Sequence, residues 1–111
     1  VLQAGDFSTA FFEAHCAIFN TIKQVLPHTY SYHAFVPSFN TDWGYILAAR
    51  DFDPGRIEEG LIERRIKERG LQLTFYDEET HRGMFSLPKE IRRRRDAATA
   101  IIDDDNLLTT G

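Results

Sequence analysis

Tyr30-Ser31-Tyr32-His33-Ala34-Phe35-Val36 and Trp43-Gly44-Tyr45-Ile46-Leu47-Ala48-Ala49, joined by Pro37-Ser38-Phe39-Asn40-Thr41-Asp42, decide the fold. Both runs are rich in aromatic and small apolar residues, fit a pleated, packed surface, and read as strands. Each is apolar on both faces, the pattern of a strand covered on two sides. The connection is short, so the two pair antiparallel as a hairpin. Upstream, Val1-Leu2-Gln3 reads as a strand end and Ala4-Gly5-Asp6 as the turn after it. A helix follows from about Thr9 to Leu26. Ser8 or Thr9 caps it, because a side-chain oxygen there accepts a bond from a free backbone N–H. Phe11, His15, Ile18, Ile22 and Val25 recur at helical spacing, Phe12, Cys16 and Phe19 widen the stripe, and Pro27 ends it.

Downstream, Asp53-Pro54 predicts a helix start, with Ile57, Leu61, Ile62 and Ile66 as its buried stripe. A Glu63–Lys67 pair supports this helix and Gly70 stops it. Leu71 to Tyr76 reads as a short extended segment, and Asp77 to Leu87 as a loop with a turn or two of helix. Pro88 opens a basic helix to about Ala98, before an acidic tail. Strand, helix, then hairpin fits the closing section of a doubly wound α/β sheet with an antiparallel edge. The chain opens inside a strand pattern. We therefore expect residues 1–111 to be one C-terminal segment of a longer domain, with no boundary inside it.

Composition excludes several classes. At 42% hydrophobic and 27% charged the chain is globular rather than disordered. A net charge of −4 argues against a nucleic-acid binder. Cys16 is the single cysteine, which precludes an internal disulfide and fits a reducing, cytoplasmic setting. No apolar run nears the roughly 18 residues of a membrane span. His15, His28, His33, His81 and Cys16 lack ligand spacing, so no metal site is expected. His15 reads as a core histidine with one backbone partner, and His81 as a residue that fixes its loop. Arg92 to Arg95 read as a solvated face or one paired with acids, Asp103-Asp104-Asp105 among them.

The hairpin connection carries chemistry as well as geometry. Phe39 and Trp43 with Asp42 nearby suit a long, thin, cationic ligand, because ring faces attract ammonium groups and cover methylenes. The same aromatics also suit a hairpin that folds back on the core. Asp42 reads equally as a partner for an ammonium or as a surface turn residue. In a doubly wound sheet, ligands sit beyond the carboxyl ends of the parallel strands, where Gln3 and this loop would face one crevice.

Five pieces resemble one family in the order it carries them. They are Val1-Leu2-Gln3-Ala4-Gly5, the helix with Cys16-Ala17-Ile18-Phe19-Asn20-Thr21-Ile22-Lys23-Gln24-Val25, Val36 to Gly44, Phe75 to Pro88, and Ile102-Asp103-Asp104-Asp105-Asn106. They are similar to the polyamine aminopropyltransferases, which include the spermidine, spermine and thermospermine synthases. The resemblance implies a methyltransferase-like Rossmann fold and transfer of an aminopropyl group from decarboxylated S-adenosylmethionine, a co-substrate, to a polyamine such as putrescine or spermidine. No resident cofactor is implied, and a homo-oligomer is. The family's base lies in an Asp-rich motif, and its nucleoside site in a glycine-rich loop. Both precede the part resembled here, so no catalytic residue is assigned and the chain alone is expected to be inactive.

The resemblance places Gln3, Phe39, Asp42 and Trp43 on the acceptor side. Gln3 matches a strand-end glutamine whose oxygen accepts from an ammonium; on its own chemistry it reads equally as a turn-capping amide. Trp43 matches a wall residue of the acceptor channel. Phe39 stands where many spermidine synthases place a hydrogen-bonding tyrosine. The loop is closer to thermospermine synthases, which implies a longer acceptor. A methyltransferase of the same fold, or a non-catalytic paralogue that binds polyamine or a partner subunit, are the alternatives.

Overall fold

The computed structural model describes residues 1–8 and 10–103. Among them the elements are β1 (Leu2–Asp6), α1 (Glu13–Lys23), β2 (His28–Val36), β3 (Thr41–Ala49), α2 (Leu61–Glu68), α3 (Glu78–Phe85) and α4 (Lys89–Ala97). The strands form a three-stranded sheet in the order β1-β3-β2, with both pairings antiparallel. The predicted hairpin is present, and both strands begin two residues earlier than the sequence suggests. Asp42 and Trp43 are therefore strand residues. The turn proper is Pro37–Asn40, with Asn40 at a positive φ of 51°.

The hairpin lies at the edge of the sheet, added to β1 through β3. β3 folds back between β1 and β2, so the two outer strands run in the same direction with α1 as the link between them. α1 packs across all three strands, α4 packs on α1, and α3 packs on β2. Side chains alternate between sheet faces, so Ile46 and Gly44 face α1 while Tyr45 and Trp43 face the other way. Ala4, Phe19 and Ile46 form one buried cluster; Phe7, Phe12, Cys16 and Ile91 form a second, between the sheet, α1 and α4.

His15 joins these layers. It is 0% exposed, with Nδ1 3.1 Å from the Ala4 carbonyl and Nε2 2.8 Å from Ser31 Oγ. A carbonyl only accepts, so Nδ1 carries the proton and the Ser31 hydroxyl donates to Nε2. The ring needs Gly44: a Cβ there would lie 2.5 Å from His15 Nδ1 and 3.0 Å from a Phe7 ring carbon. The core histidine expected from sequence thus has a side-chain partner besides its backbone one.

Several expectations are corrected. α1 starts at Glu13, not Thr9, because Phe7 and Phe12 must both reach the core and the chain turns between them. Ser8 caps that turn rather than the helix, accepting from the Phe11 N–H; Thr9 lies outside the described residues. Phe11 and Val25 are exposed rather than part of the stripe. Asn20 donates to the Ala98 and Ala100 carbonyls and ties down the chain after α4.

α2 begins only at Leu61, after Gly60 at a φ of 81°. Asp53 is engaged elsewhere. It accepts from the Tyr30 hydroxyl and the Gly55 N–H and pairs with Arg56. The expected stripe is only partly covered: no residue of α2 is buried, and Ile57 is exposed. Glu63 accepts from the Glu78 N–H rather than pairing with Lys67. Gly70 does end the helix, at a φ of 60°, with the Gly70 and Leu71 N–H groups returning to the Lys67 and Ile66 carbonyls.

Residues 71–76 find no strand partner among the described residues, and Leu71, Leu73 and Phe75 are exposed. α3 supplies the short helix expected between Asp77 and Leu87 and is capped by Asp77, whose carboxylate accepts from the Thr80 N–H at 2.8 Å. α4 matches its prediction. Arg93 pairs with Glu90 and Arg95 with Asp96, while Arg94 lies over the Phe12 ring and Arg95 over the Phe19 ring. Asp104 and Asp105 of the acidic run lie outside the described residues.

Candidate functional site

Register determines which predicted residues can meet. Gln3 is the direct partner of Tyr45 across β1 and β3, and Asp6 is the partner of Trp43. Directly opposed residues share a face, and residues two apart on a strand share it too. Gln3, Trp43 and Tyr45 therefore lie on one face of the sheet, the face away from α1. On β2, Tyr32 opposes Tyr45 and Ala34 opposes Trp43. The Tyr32 and Tyr45 rings stack at 5.0 Å and 12°, and Phe85 of α3 covers Tyr32 at 4.9 Å. Burial, then the neighbouring Tyr45, pushes the Tyr32 phenol above its ordinary pKa.

Phe39 reaches this face from the turn. Its ring lies 4.9 Å from the Trp43 indole, tilted by 55°. Trp43 and Tyr45 are half-buried, Gln3 and Phe39 exposed. The Trp43 Nε1–H is itself buried and has no acceptor among the described residues. The result is an aromatic surface with an amide at one border and a second aromatic pair at its end. Rings and an amide oxygen are the groups that hold a chain of methylenes and ammoniums.

Asp42 does not join them. As the residue before Trp43 it points to the opposite face, where its carboxylate lies 2.6 Å from His33 Nδ1. It lines an open cleft with His33, Phe35 and Met84. Periodicity alone shows this once Asp42 is recognised as a strand residue rather than a loop residue. The carboxylate on the Gln3–Trp43 face is Asp6, which the sequence reading assigned to a turn. Tyr45 also escaped notice, although its spacing of two from Trp43 was the available signal.

Other titratable groups serve the fold. Burial lowers the His15 pKa from 6.5 to about 4, against a partial rise from the Ala4 bond; Arg95 lowers it further. Burial raises Cys16. His81 is lowered by burial, and its Nδ1 lies 2.8 Å from the Tyr76 hydroxyl, so it holds the segment before α3. A cavity of about 550 Å³ at the outer edge of β2, bounded by Tyr30, Ile62, Phe85 and Arg92, contains none of Gln3, Phe39, Asp42 or Trp43. No helix among the described residues is long and apolar enough to cross a membrane.

No protein-family model matches the chain. It is similar to the polyamine aminopropyltransferase of Sulfurisphaera tokodaii, 36% identical over 99 residues, which is 88% of this chain and 31% of that protein. The polyamine aminopropyltransferase of Pyrobaculum islandicum is 35% identical over 88 residues, 79% of this chain and 30% of that protein. That of Aeropyrum pernix is 34% identical over 101 residues, 86% of this chain and 32% of that protein. The chain thus spans about a third of the length of the curated relatives it matches. With most of its length aligned to such proteins, the chain belongs to the polyamine aminopropyltransferase family.

Proposed function

We propose that this chain is the C-terminal, acceptor-side segment of an aminopropyltransferase catalytic domain, and that Gln3, Phe39 and Trp43 line its polyamine channel. The observation that carries the reading is the shared sheet face of Gln3 and Trp43, with Phe39 against the indole. The sheet supports the fold half of it. β1 and β2 run the same way through a helical link, as in a βαβ unit, with β3 inserted antiparallel between them. The outer edge of β1 has no partner strand among the described residues, and Leu2 on that strand is exposed. A parallel sheet of methyltransferase-like Rossmann type continues naturally from such an edge.

The chemistry fits this division of labour. An alkyl amine titrates near 10, like lysine, so the acceptor arrives as an ammonium and must lose a proton to react. Its nitrogen then forms a bond to the carbon beside the sulfonium of decarboxylated S-adenosylmethionine. The carbon–sulfur bond breaks with its electron pair going to sulfur, leaving a neutral thioether. The base is expected upstream of residue 1. This chain holds the methylenes and remaining ammoniums so that one nitrogen lies in line with the breaking bond. Asp42, bonded to His33, supports the strand end in this reading rather than touching the acceptor. The protein so described is cytoplasmic and homo-oligomeric, with the nucleoside as co-substrate.

Incubating the full-length protein with decarboxylated S-adenosylmethionine and a panel of putrescine, spermidine and monoamines tests the reading. The expected product is a polyamine longer by one aminopropyl group. Methylated product from S-adenosylmethionine, or polyamine binding without turnover, would support the methyltransferase or the non-catalytic alternative instead.

A further inference from the structure

The strand that carries Gln3 contains an irregularity with a chemical consequence. From Gln3 to Asp6 β1 advances three residues, while its partner β3 advances only two, from Tyr45 to Trp43. One extra residue is inserted, and Gly5 takes it up at a φ of 77°. In a regular strand, residues three apart point to opposite faces. The bulge cancels that alternation and turns Asp6 onto the face of Gln3. The side chains confirm the placement. Thr41, two residues before Trp43 and on the same face, donates its hydroxyl to Asp6 Oδ1 at 2.9 Å.

Asp6 is half-buried and stands opposite Trp43 across the strand pair, and no cation pairs with it among the described residues. A carboxylate fixed by a hydroxyl next to aromatic rings, with one oxygen outside that bond, is complementary to an ammonium group. From this we infer that Asp6 is a specificity-determining residue of the amine site. It takes an ammonium that is not the reacting one, while the Trp43 and Tyr45 rings cover the methylenes between that ammonium and Gln3. The inference rests on the polyamine reading above and adds the residue that selects acceptors carrying more than one charge. Asp42 has the opposite orientation and takes no part.

The test is Asp6→Asn in the full-length protein, a change that keeps the shape and the Thr41 bond. Acceptor KM is expected to rise about tenfold or more for putrescine and spermidine, in the range of a lost charge-assisted contact. The KM for decarboxylated S-adenosylmethionine should stay within about twofold, and n-butylamine, with one nitrogen, should bind equally well to both proteins. Asp42→Asn should leave the acceptor KM unchanged. Calorimetric titration of spermidine into wild type and Asp6→Asn reads binding without turnover. An unchanged spermidine affinity, or an equal loss for n-butylamine, overturns the role of Asp6. Wild type that binds spermidine tightly but transfers nothing overturns the enzymatic reading and leaves Asp6 standing. Should Asp6→Asn not fold, Thr41→Val, which removes the hydroxyl that fixes Asp6, must weaken diamines more than n-butylamine; an equal effect contradicts the inference.

Discussion

Gly44 is where a single atom decides whether the layers close. His15 and Phe7 occupy the space that a Cβ would fill. Gly44→Ala must displace both and loosen the His15 bonds to Ala4 and Ser31. Its cost should be roughly 2–4 kcal/mol, the sum of overpacking and a disturbed buried hydrogen bond. A denaturant midpoint measured beside wild type checks this. His15 also gives the fold a pH dependence. Buried and neutral, it titrates at about 4 rather than 6.5. Between those values the unfolded chain binds a proton that the folded one refuses, so stability is complete above pH 6.5 and declines as pH falls toward 4. The expected loss is roughly 3 kcal/mol across that window. His15→Gln should flatten the decline when unfolding midpoints are compared at several pH values; an unchanged slope would contradict it. The sequence made His15 readable as a core residue, because it stands on an apolar helical stripe. Its tie to Ser31 was not readable, since only the fold brings residues 15 and 31 together.

At the scale of elements, local chemistry predicted ends better than beginnings. Gly70 closes α2 because its backbone is left-handed and two N–H groups return to the last turn. Gly70→Ala should therefore cost about 1 kcal/mol, from the strain of a Cβ at positive φ. Hydrogen exchange at the Gly70 and Leu71 amides would localise the effect, and unchanged exchange there would argue against it. The starts of α1 and α2 differ from their predicted positions for a shared reason. Ser8 and Asp53 have the residue types of caps, yet each bonds to a nearer turn or to another strand. A cap signal identifies a willing acceptor and not the donor it will find. The hairpin was legible because its strands are long and apolar on both faces. The bulge at Gly5 was not, because a glycine before an acid reads equally as a turn, and this is why Asp42 rather than Asp6 was expected beside the rings.

The molecule as a whole has two unlike faces. One is sealed by α1 and α4 over His15, Phe12 and Ile46. The other presents Trp43 and Tyr45 half-buried, with α3 covering only the β2 side. The sequence order of strand, helix and hairpin was enough to anticipate an α/β arrangement. It could not show that β3 would lie between the outer strands, because pairing partners depend on contacts far apart in sequence. The half-covered face carries the functional claim. Gln3 and Trp43 share it, and the proposal requires that they share a ligand. The most direct measurement is the acceptor KM of Trp43→Ala in the full-length protein, with the KM for decarboxylated S-adenosylmethionine measured alongside. Loss of the indole should raise the polyamine KM about tenfold or more and leave that for the nucleoside within about twofold. A polyamine KM equal to that of wild type, in a folded and active Trp43→Ala protein, would contradict the account.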